Sequence, residues 1–454
     1  MEFHAVILCG AGHGLSPFSR VRSTGTPKAL LPIANRPMVD YVIEWCEKAF
    51  FPKITIISDE TTKDEIETGF SSYRAKMGVQ KDVNIEFIAM NVESSGALLV
   101  NICKHVGLNK DFVILPCDFI TDLPPQVLIE AYRSKSDSDI GLIVNYKNQL
   151  NIEDKKNMIF PVNYTIYSNN DDGNCQLLDL YSHEDIEFHK SLPIRTQMTW
   201  RYPNSTVSTK LLNSSIFFGS TNILTILESN ANKFTDSYIN NRPLLKIIRD
   251  LARRSWKHSK NLQTIALLII PHQATFIRSN NTATLLEANR YFMKTQASNK
   301  AQNLPLQSKE KGVAHIGLDS LIGTNTTIGE KTNVKRSIIG ENCIIGKRVK
   351  LTGCLILNGV NIEDDVQLEN CIIGHDVVIQ SKSKLTNTNV ESTHSVPRGT
   401  MAKGETLLCL SLEGIVDHDH EYDDSDSEDS DESDSDTDDY EDDYVDNDDG
   451  LFDY

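Results

Sequence analysis

The sequence predicts a doubly wound α/β domain, followed by a left-handed parallel β-helix and a disordered acidic tail. In about the first 300 residues, apolar runs of strand length alternate with helical patterns, which is typical of α/β domains. An aliphatic residue then recurs every six positions from Ile316 onward, and this period is typical of parallel β-helices. From Asp417 to Tyr454, 21 of 38 residues are Asp or Glu and none is Lys or Arg. We place the α/β domain, a linker, the β-helix and the tail at 1–295, 296–312, 313–410 and 411–454.

The chain begins with an apolar strand that stops at a glycine-rich turn. The strand covers Ala5–Cys9, the turn covers Gly10–Gly14, and a Pro27-Lys28 pair follows. A strand, a glycine turn and a lysine together bring backbone N–H groups and a cation to a phosphate. Short glycine patterns have low specificity, so a tight turn that binds nothing is an equally good interpretation of these residues alone.

Strands and helices alternate from the glycine turn to Asp118. This alternation predicts parallel strands joined by right-handed crossovers, that is, a Rossmann-like sheet whose ligands lie at the carboxyl ends of strands. Asp118 follows one strand end, so we expect it to face the same crevice as the glycine turn. There it would hold a divalent cation or serve as a turn residue, which is the commoner use. The hydrophobic periods predict helices at Met38–Phe50, Thr62–Met77 and Ala97–Val106, and strands at Ile54–Ile57, Val83–Ile88 and Phe112–Leu115.

The later part of this domain shows no catalytic constellation. We find no Ser/His/Asp or Cys/His set with an interpretable spacing. The nine cysteines are scattered without a C-x-x-C pair, so neither a zinc ribbon nor a disulfide frame is predicted. The patterns predict strands at Ile216–Phe218 and Ile265–Ile270, and helices at Leu244–Arg254 and Thr282–Lys294.

Charge and hydropathy favour a soluble cytosolic protein. No apolar run approaches the ~20 residues that a membrane span needs, and the chain start lacks the pattern of a secretory signal. In residues 1–416, 45 basic and 42 acidic residues nearly balance, which gives no support for a broad nucleic-acid surface.

The predicted β-helix is defined by its hexad register. The register begins with Ile316, Ile322, Ile328 and Val334, resumes after a one-residue slip at Ile339, Ile345, Leu351 and Leu357, and slips again before Val360, Val366, Ile372 or Ile373, Ile379 and Leu385. At about 18 residues a coil, this segment predicts roughly four coils with a stacked aliphatic column inside. We expect the coils to act as a scaffold and an assembly surface.

The acidic tail has too little apolar surface to offset the entropy of ordering it. Five serines with acidic residues nearby are candidate phosphorylation sites: Ser425, Ser427, Ser430, Ser433 and Ser435. A tail that only improves solubility is the alternative.

The combination of G-x-G, P-K, a strand-end aspartate and hexapeptide repeats resembles the sugar-phosphate nucleotidyltransferase superfamily. The resemblance covers residues 1 to about 390. The motif G-x-G-T-R-L-x-P-L of that family reads GAGHGLSPF here, and Gly14 replaces the arginine that grips the triphosphate. The later F-x-E-K-P lysine motif is absent, and residues 181–194 read YSHEDIEFHKSLPI. Among the matching positions, the resemblance implies a vestigial nucleotide site at Gly10, Gly12, Lys28 and Asp118, without catalytic residues, a bound metal or another cofactor.

Two segments are similar to the gamma-subunit family of eukaryotic translation initiation factor 2B. They are the start, MEFHAVILCG with PKALLPIANRPMVDYVIEW, and the later LLEANRYF. The resemblance implies a non-catalytic subunit of a guanine-nucleotide exchange complex, partnered by the epsilon subunit, by the alpha, beta and delta subunits, and by initiation factor 2. It implies contact with neither nucleic acid nor membrane. The alternative is an active nucleotidyltransferase, for example one that makes GDP-mannose.

Overall fold

The structure is a computed structural model, and it describes residues 3–78, 84–90, 94–102, 110–150, 160, 162–169, 175–229, 234–258, 262–301 and 314–409. The described residues form an α/β domain and a β-helix that pack against each other. The acidic tail, its five candidate serines and most of the predicted linker lie outside the described residues.

In its described residues, the α/β domain contains ten α-helices. They are α1 (Met38–Lys48), α2 (Glu60–Met77), α3 (Ser95–Ile102), α4 (Pro125–Arg133), α5 (His183–His189), α6 (Thr196–Arg201), α7 (Asn222–Ser229), α8 (Asp236–Asn240), α9 (Leu244–Lys257) and α10 (Thr282–Ala301) among the described residues. Its strands are β1 (His4–Leu8), β2 (Pro32–Ile33), β3 (Arg36–Pro37), β4 (Ile54–Ser58), β5 (Ile85–Ala89), β6 (Phe112–Pro116), β7 (Phe119–Thr121), β8 (Asp139–Lys147), β9 (Tyr164–Asn169), β10 (Cys175–Tyr181), β11 (Ser205–Ser208), β12 (Leu211–Gly219), β13 (Thr264–Ile269) and β14 (Phe276–Arg278).

The central sheet has four parallel strands at one end and a mixed arrangement in the rest. Its order is β11-β9-β10-β13-β8-β12-β6-β1-β4-β5. The strands β6, β1, β4 and β5 pair in parallel, which confirms the prediction from the alternating patterns. The strand β12 then runs antiparallel to β6 and β8, a reversal that the sequence did not indicate. Buried side chains cover both faces of the sheet, so the domain has two apolar layers.

Within residues 314–409, the second domain is a β-helix of 17 short strands. The three sheets that they form contain six, six and five parallel strands, so the coils number between five and six rather than the predicted four. The strands are β15 (His315–Ile316), β16 (Leu321–Ile322), β17 (Thr327–Ile328), β18 (Asn333–Lys335), β19 (Ile338–Ile339), β20 (Ile344–Ile345), β21 (Lys350–Thr352), β22 (Leu355–Ile356), β23 (Asn361–Ile362), β24 (Gln367–Glu369), β25 (Ile372–Ile373), β26 (Val378–Ile379), β27 (Lys384–Thr386), β28 (Asn389–Val390), β29 (Ser395–Val396), β30 (Met401–Lys403) and β31 (Thr406–Leu407).

The register of the β-helix corrects the predicted hexads. Val334 pairs with Leu351, and Leu351 with Leu368, so these coils contain 17 residues and repeat the one-residue slip, whereas the first coil, from Ile316 to Val334, contains 18. After Leu351 the inner column therefore continues at Ile356 rather than at Leu357. Leu357 is buried on the outside of the coil, against the α/β domain, which is why it resembles a core position in the sequence.

The two domains share an apolar interface. Ile338, Leu355 and Ile372 form one column on the face of the β-helix that packs against Leu285 and Met293 of α10. The helix α10 runs to Ala301, beyond the predicted end at Lys294, so the first residues of the predicted linker are helical. No helix in the described ranges is long and apolar enough to cross a lipid bilayer.

Candidate functional site

The glycine turn follows β1 and packs directly on the predicted lysine. Gly12 has a φ of 82°, which is the left-handed region that glycine tolerates best. A Cβ built on Gly12 would lie 3.0 Å from the Cβ of Lys28. The side chain of Lys28 therefore crosses the turn where only hydrogen stands, and its exposed fraction is 9%. Gly10 is exposed and has no atoms within 4 Å of its position for a Cβ.

The backbone of Asn280 packs closely against Gly14. A Cβ at this position would lie 2.7 Å from the backbone oxygen of Asn280, closer than real Cβ contacts come. Asn280 follows β14, so the end of that strand occupies the space beside the turn. An arginine at position 14, as in the motif of the resembling family, would need a shift of this backbone.

Lys28 and Asp118 are in contact beside the glycine turn, whereas the strand ends in the sequence predict a shared crevice only for the turn and Asp118. The Nζ of Lys28 lies 2.8 Å from Oδ2 of Asp118 and donates a hydrogen bond to Oδ1 of Asn280 at 3.2 Å. The carboxylate of Asp118 is fully buried. A buried carboxylate needs compensating charge, and here the nearest cation is the predicted phosphate ligand itself.

A second cation, Arg278, holds the same carboxylate and was missed by sequence reasoning. Its Nε donates to Oδ1 and its Nη2 to Oδ2 of Asp118, both at 3.1 Å, while Nη1 donates to Oγ of Ser215 at 2.8 Å. The two residues lie 160 positions apart and meet because β14 pairs with β7, with Arg278 opposite Phe119. No periodicity marks this contact in the sequence. We name Lys28, Asp118 and Arg278 the ion cluster.

The electrostatics of the ion cluster keep Asp118 charged. Burial of the carboxylate acts to raise its pKa, but Arg278 and then Lys28 favour the ionised form, so the pKa lies well below its usual range. The neighbouring thiol of Cys9 donates a hydrogen bond to the Cys117 side chain and is buried, and both raise its pKa, so it stays protonated at neutral pH. In the described part of the chain, no group of three or more His, Cys, Asp or Glu side chains is arranged to hold a metal ion.

A cavity lies elsewhere, where the two domains meet. Its volume is about 450 Å³, and residues of both domains line it, among them Tyr73, Lys76, Glu341 and His375. None of the predicted site residues lines this cavity. The structure thus brings Gly12, Lys28 and Asp118 together but separates them from this open space.

Two family models match the chain, one in each domain. Residues 4–152 match the model for a nucleotidyl transferase, and residues 306–397 match the model for the LbH domain of the EIF2B epsilon subunit. The first match contains the glycine turn, Lys28 and Asp118. Arg278, which completes the ion cluster, lies outside both matches.

Three curated relatives carry one and the same protein name. The protein named translation initiation factor eIF2B subunit gamma of Schizosaccharomyces pombe (strain 972 / ATCC 24843) is 26% identical over 430 residues, covering 90% of each chain. The Dictyostelium discoideum protein of that name is 25% identical over 400 residues, 74% of this chain and 87% of the relative. The Caenorhabditis elegans protein is 27% identical over 146 residues, 32% and 34% of the two chains. This chain therefore joins a nucleotidyl transferase domain to a β-helix of the eIF2B type and resembles the eIF2B gamma subunits over nearly its whole length.

Proposed function

We propose that this chain is a non-catalytic, scaffolding and regulatory subunit of the eIF2B guanine-nucleotide exchange complex. In this role it pairs with the epsilon subunit and promotes GDP/GTP exchange on initiation factor 2, in the cytosol. The observation that carries the proposal is the ion cluster, in which the cation and the carboxylate expected to serve a nucleotide neutralise each other. The choice of the eIF2B complex rests on the names of the relatives.

Nucleotidyl transfer needs a free cation and free carboxylate oxygens, and in the ion cluster these groups contact one another. A triphosphate is held by cations, and its magnesium by carboxylate oxygens. In this chain Lys28 contacts Asp118, and both oxygens of that carboxylate accept bonds from Arg278. Binding of a nucleotide there would have to break a buried ion pair, at a cost of about 3–5 kcal/mol when one partner is left uncompensated.

The position of Gly14 supports the same proposal. Glycine has no donor for a phosphate, whereas an arginine offers a planar fork that fits phosphate oxygens. The approach of Asn280 to Gly14 leaves no room for a side chain without movement of the backbone. We infer that the fold is kept for its surfaces, on which the epsilon, alpha, beta and delta subunits would assemble.

Native mass spectrometry of the chain, tagged at its own locus, tests the assembly. We expect the chain to leave the cell extract in a large heteromeric complex that contains an epsilon-type subunit. The isolated chain should leave GDP release from initiation factor 2 unchanged, and addition of the epsilon partner should accelerate it. Recovery of the chain as a monomer would overturn the proposal.

An active nucleotidyltransferase is the second candidate, and one observation favours it: Lys28 and Asp118 do meet beside the carboxyl ends of parallel strands. The test is magnesium-dependent pyrophosphate exchange with a panel of nucleoside triphosphates and sugar 1-phosphates. Turnover that is lost in the Lys28→Ala variant would support this candidate. The first proposal predicts no turnover with any pair.

A further inference from the structure

One face of the β-helix carries nearly all of the lysines that point outward from its strands. In the sheet β15-β18-β21-β24-β27-β30, Val334, Leu351, Leu385 and Ala402 are buried in the inner column. Their neighbours along each strand point the other way, because successive side chains of a strand alternate. We define the lysine face by four of these exposed neighbours: Lys335, Lys350, Lys384 and Lys403.

The other two faces of the β-helix are different in character. The face of β16-β19-β22-β25-β28-β31 is apolar at Ile338, Leu355 and Ile372 and is covered by the α/β domain. The face of β17-β20-β23-β26-β29 exposes Thr, Ile, Asn, Val and Ser at its outward positions and carries no charged residue there. Among the described strands of the β-helix, lysines therefore occur in only one of the three sheets.

The four lysines have no carboxylate partner among the residues that the structure describes. On the adjoining turns, by contrast, Arg348 pairs with Asp365 at 2.6 Å and Lys347 with Glu330 at 3.9 Å. Glu369 is the one acidic side chain on the face itself, on the strand β24. Four positive charges against one negative charge leave the lysine face with an excess that an acidic ligand would neutralise.

The described chain ends within reach of this face. The backbone N–H of Cys409 donates to Oε2 of Glu391, which fixes the point of departure at a corner of the last coil. Asp417 is eight residues further on, and eight residues span at most about 26–29 Å. One side of a coil is about six residues, or roughly 20 Å, and the five strands from β18 to β30 span about 19 Å.

We propose that the acidic tail of this chain, Asp417–Tyr454, lies on the lysine face. Residues 417–454 include 21 acidic residues and no basic ones, follow the last described coil in the sequence, and are numerous enough to cover all five strands. Exposed ion pairs of this kind are individually weak and are screened by salt, so the contact is multivalent and ionic rather than a rigid fit. Phosphate on Ser425 or the other candidate serines would tighten it.

Amine acylation read out by mass spectrometry tests the proposal. The native assembly with the full chain is compared with one that carries a chain truncated after Val416. At 50 mM salt we expect the four lysines to react at least about threefold more slowly in the full chain, and the difference to vanish at 500 mM salt. Lys210, exposed on the α/β domain, should react equally in both and serves as the internal control.

A second variant distinguishes electrostatic binding of the tail from steric shielding of the lysines by the tail. It has a tail of the same length in which every Asp is replaced by Asn and every Glu by Gln. This chain should show the fast acylation of the truncated chain. Equal reactivity of the four lysines in all three chains would overturn the proposal. So would protection that persists without the tail, since the face would then be covered by another acidic partner such as a nucleic acid.

Discussion

At the scale of single residues, the ion cluster determines the charge and packing beside the glycine turn. Asp118 is buried between two cations, and each of its oxygens accepts a bond from Arg278. Lys28 lies across Gly12 and reaches the same carboxylate. The two cations thus compensate the buried carboxylate, and Asn280 and Ser215 accept further bonds from Lys28 and Arg278.

The first prediction concerns Asp118. Asp118→Asn leaves two buried cations facing a neutral amide, and should lower the free energy of unfolding by about 3–5 kcal/mol at pH 7. Because the folded pKa is depressed, this contribution is present above the unfolded pKa, near 3.9, and is lost as the pH falls through the folded value. Urea unfolding at pH 7, 5 and 3.5 should therefore show a constant difference from the wild type that narrows only below about pH 4.

Ser215→Ala serves as the control for this experiment. It removes only the hydroxyl that accepts one bond from Arg278, and should cost about 1–2 kcal/mol without the same pH dependence. If Asp118→Asn proved as stable as the wild type at pH 7, the ion cluster would not be the structural unit described above.

The second prediction concerns the two glycines of the turn. Gly14→Ala places a Cβ 2.7 Å from the Asn280 oxygen and should cost about 1–3 kcal/mol, because the end of β14 must move. Gly10→Ala meets no atom within 4 Å and should be neutral. Paired thermal melts check this; equal melting temperatures for the two variants would contradict the close approach of Asn280.

At the scale of elements, the β-helix has an inner aliphatic column whose members are spaced six, six and five residues apart along the later coils. The sequence indicated this domain correctly, since Ile316, Ile322 and Ile328 already show the period. It also indicated the first five-residue step, from Val334 to Ile339, but misplaced the next one, because Leu357 is apolar for a different reason: it packs against the α/β domain. A residue buried by docking and one buried in a coil look the same in a sequence. Arg278 was missed for a related reason, since strand pairing over long separations leaves no local pattern.

The third prediction tests this column. Ile373→Ala removes a fully buried side chain that stacks between Ile356 and Val390, and should cost about 2–5 kcal/mol in unfolding of the β-helix. Thr352→Ala, at a half-buried outward position, should cost less than about 1 kcal/mol. Hydrogen exchange of the β-helix amides measures both; equal protection in the two variants would refute the assignment of the inner column.

At the scale of the whole molecule, polar contacts join the domains beside the apolar interface. The Nε of Arg22 donates to Glu391 at 2.6 Å, and both side chains are nearly inaccessible to solvent. Thr24 donates to the same oxygen at 2.7 Å. Two further bonds link Asn35 to Ile339 and Arg290 to Asn370. The loop between the glycine turn and Lys28 is therefore held by the β-helix.

The fourth prediction tests this connection. Glu391→Ala removes the acceptor that Arg22, Thr24 and the Cys409 amide share, at a cost of about 1.5–3 kcal/mol for each charged hydrogen bond. We expect limited proteolysis to cut the loop at residues 19–26 several times faster, while the inner column of the β-helix stays protected. Glu363→Ala, which removes one exposed acceptor, is the matched control. An unchanged cutting rate in Glu391→Ala would show that the apolar interface alone holds the loop.

The contact between Arg22 and Glu391 also sets an order of events during synthesis. The two residues are 369 positions apart, so the loop near the start of the chain waits for nearly the entire chain before it gains its partner. At 5–20 residues per second this delay is roughly 20–70 s. Throughout that interval Arg22 and Thr24 lack their β-helix partner Glu391. Whatever binds the nascent chain there acts before the molecule can close on itself.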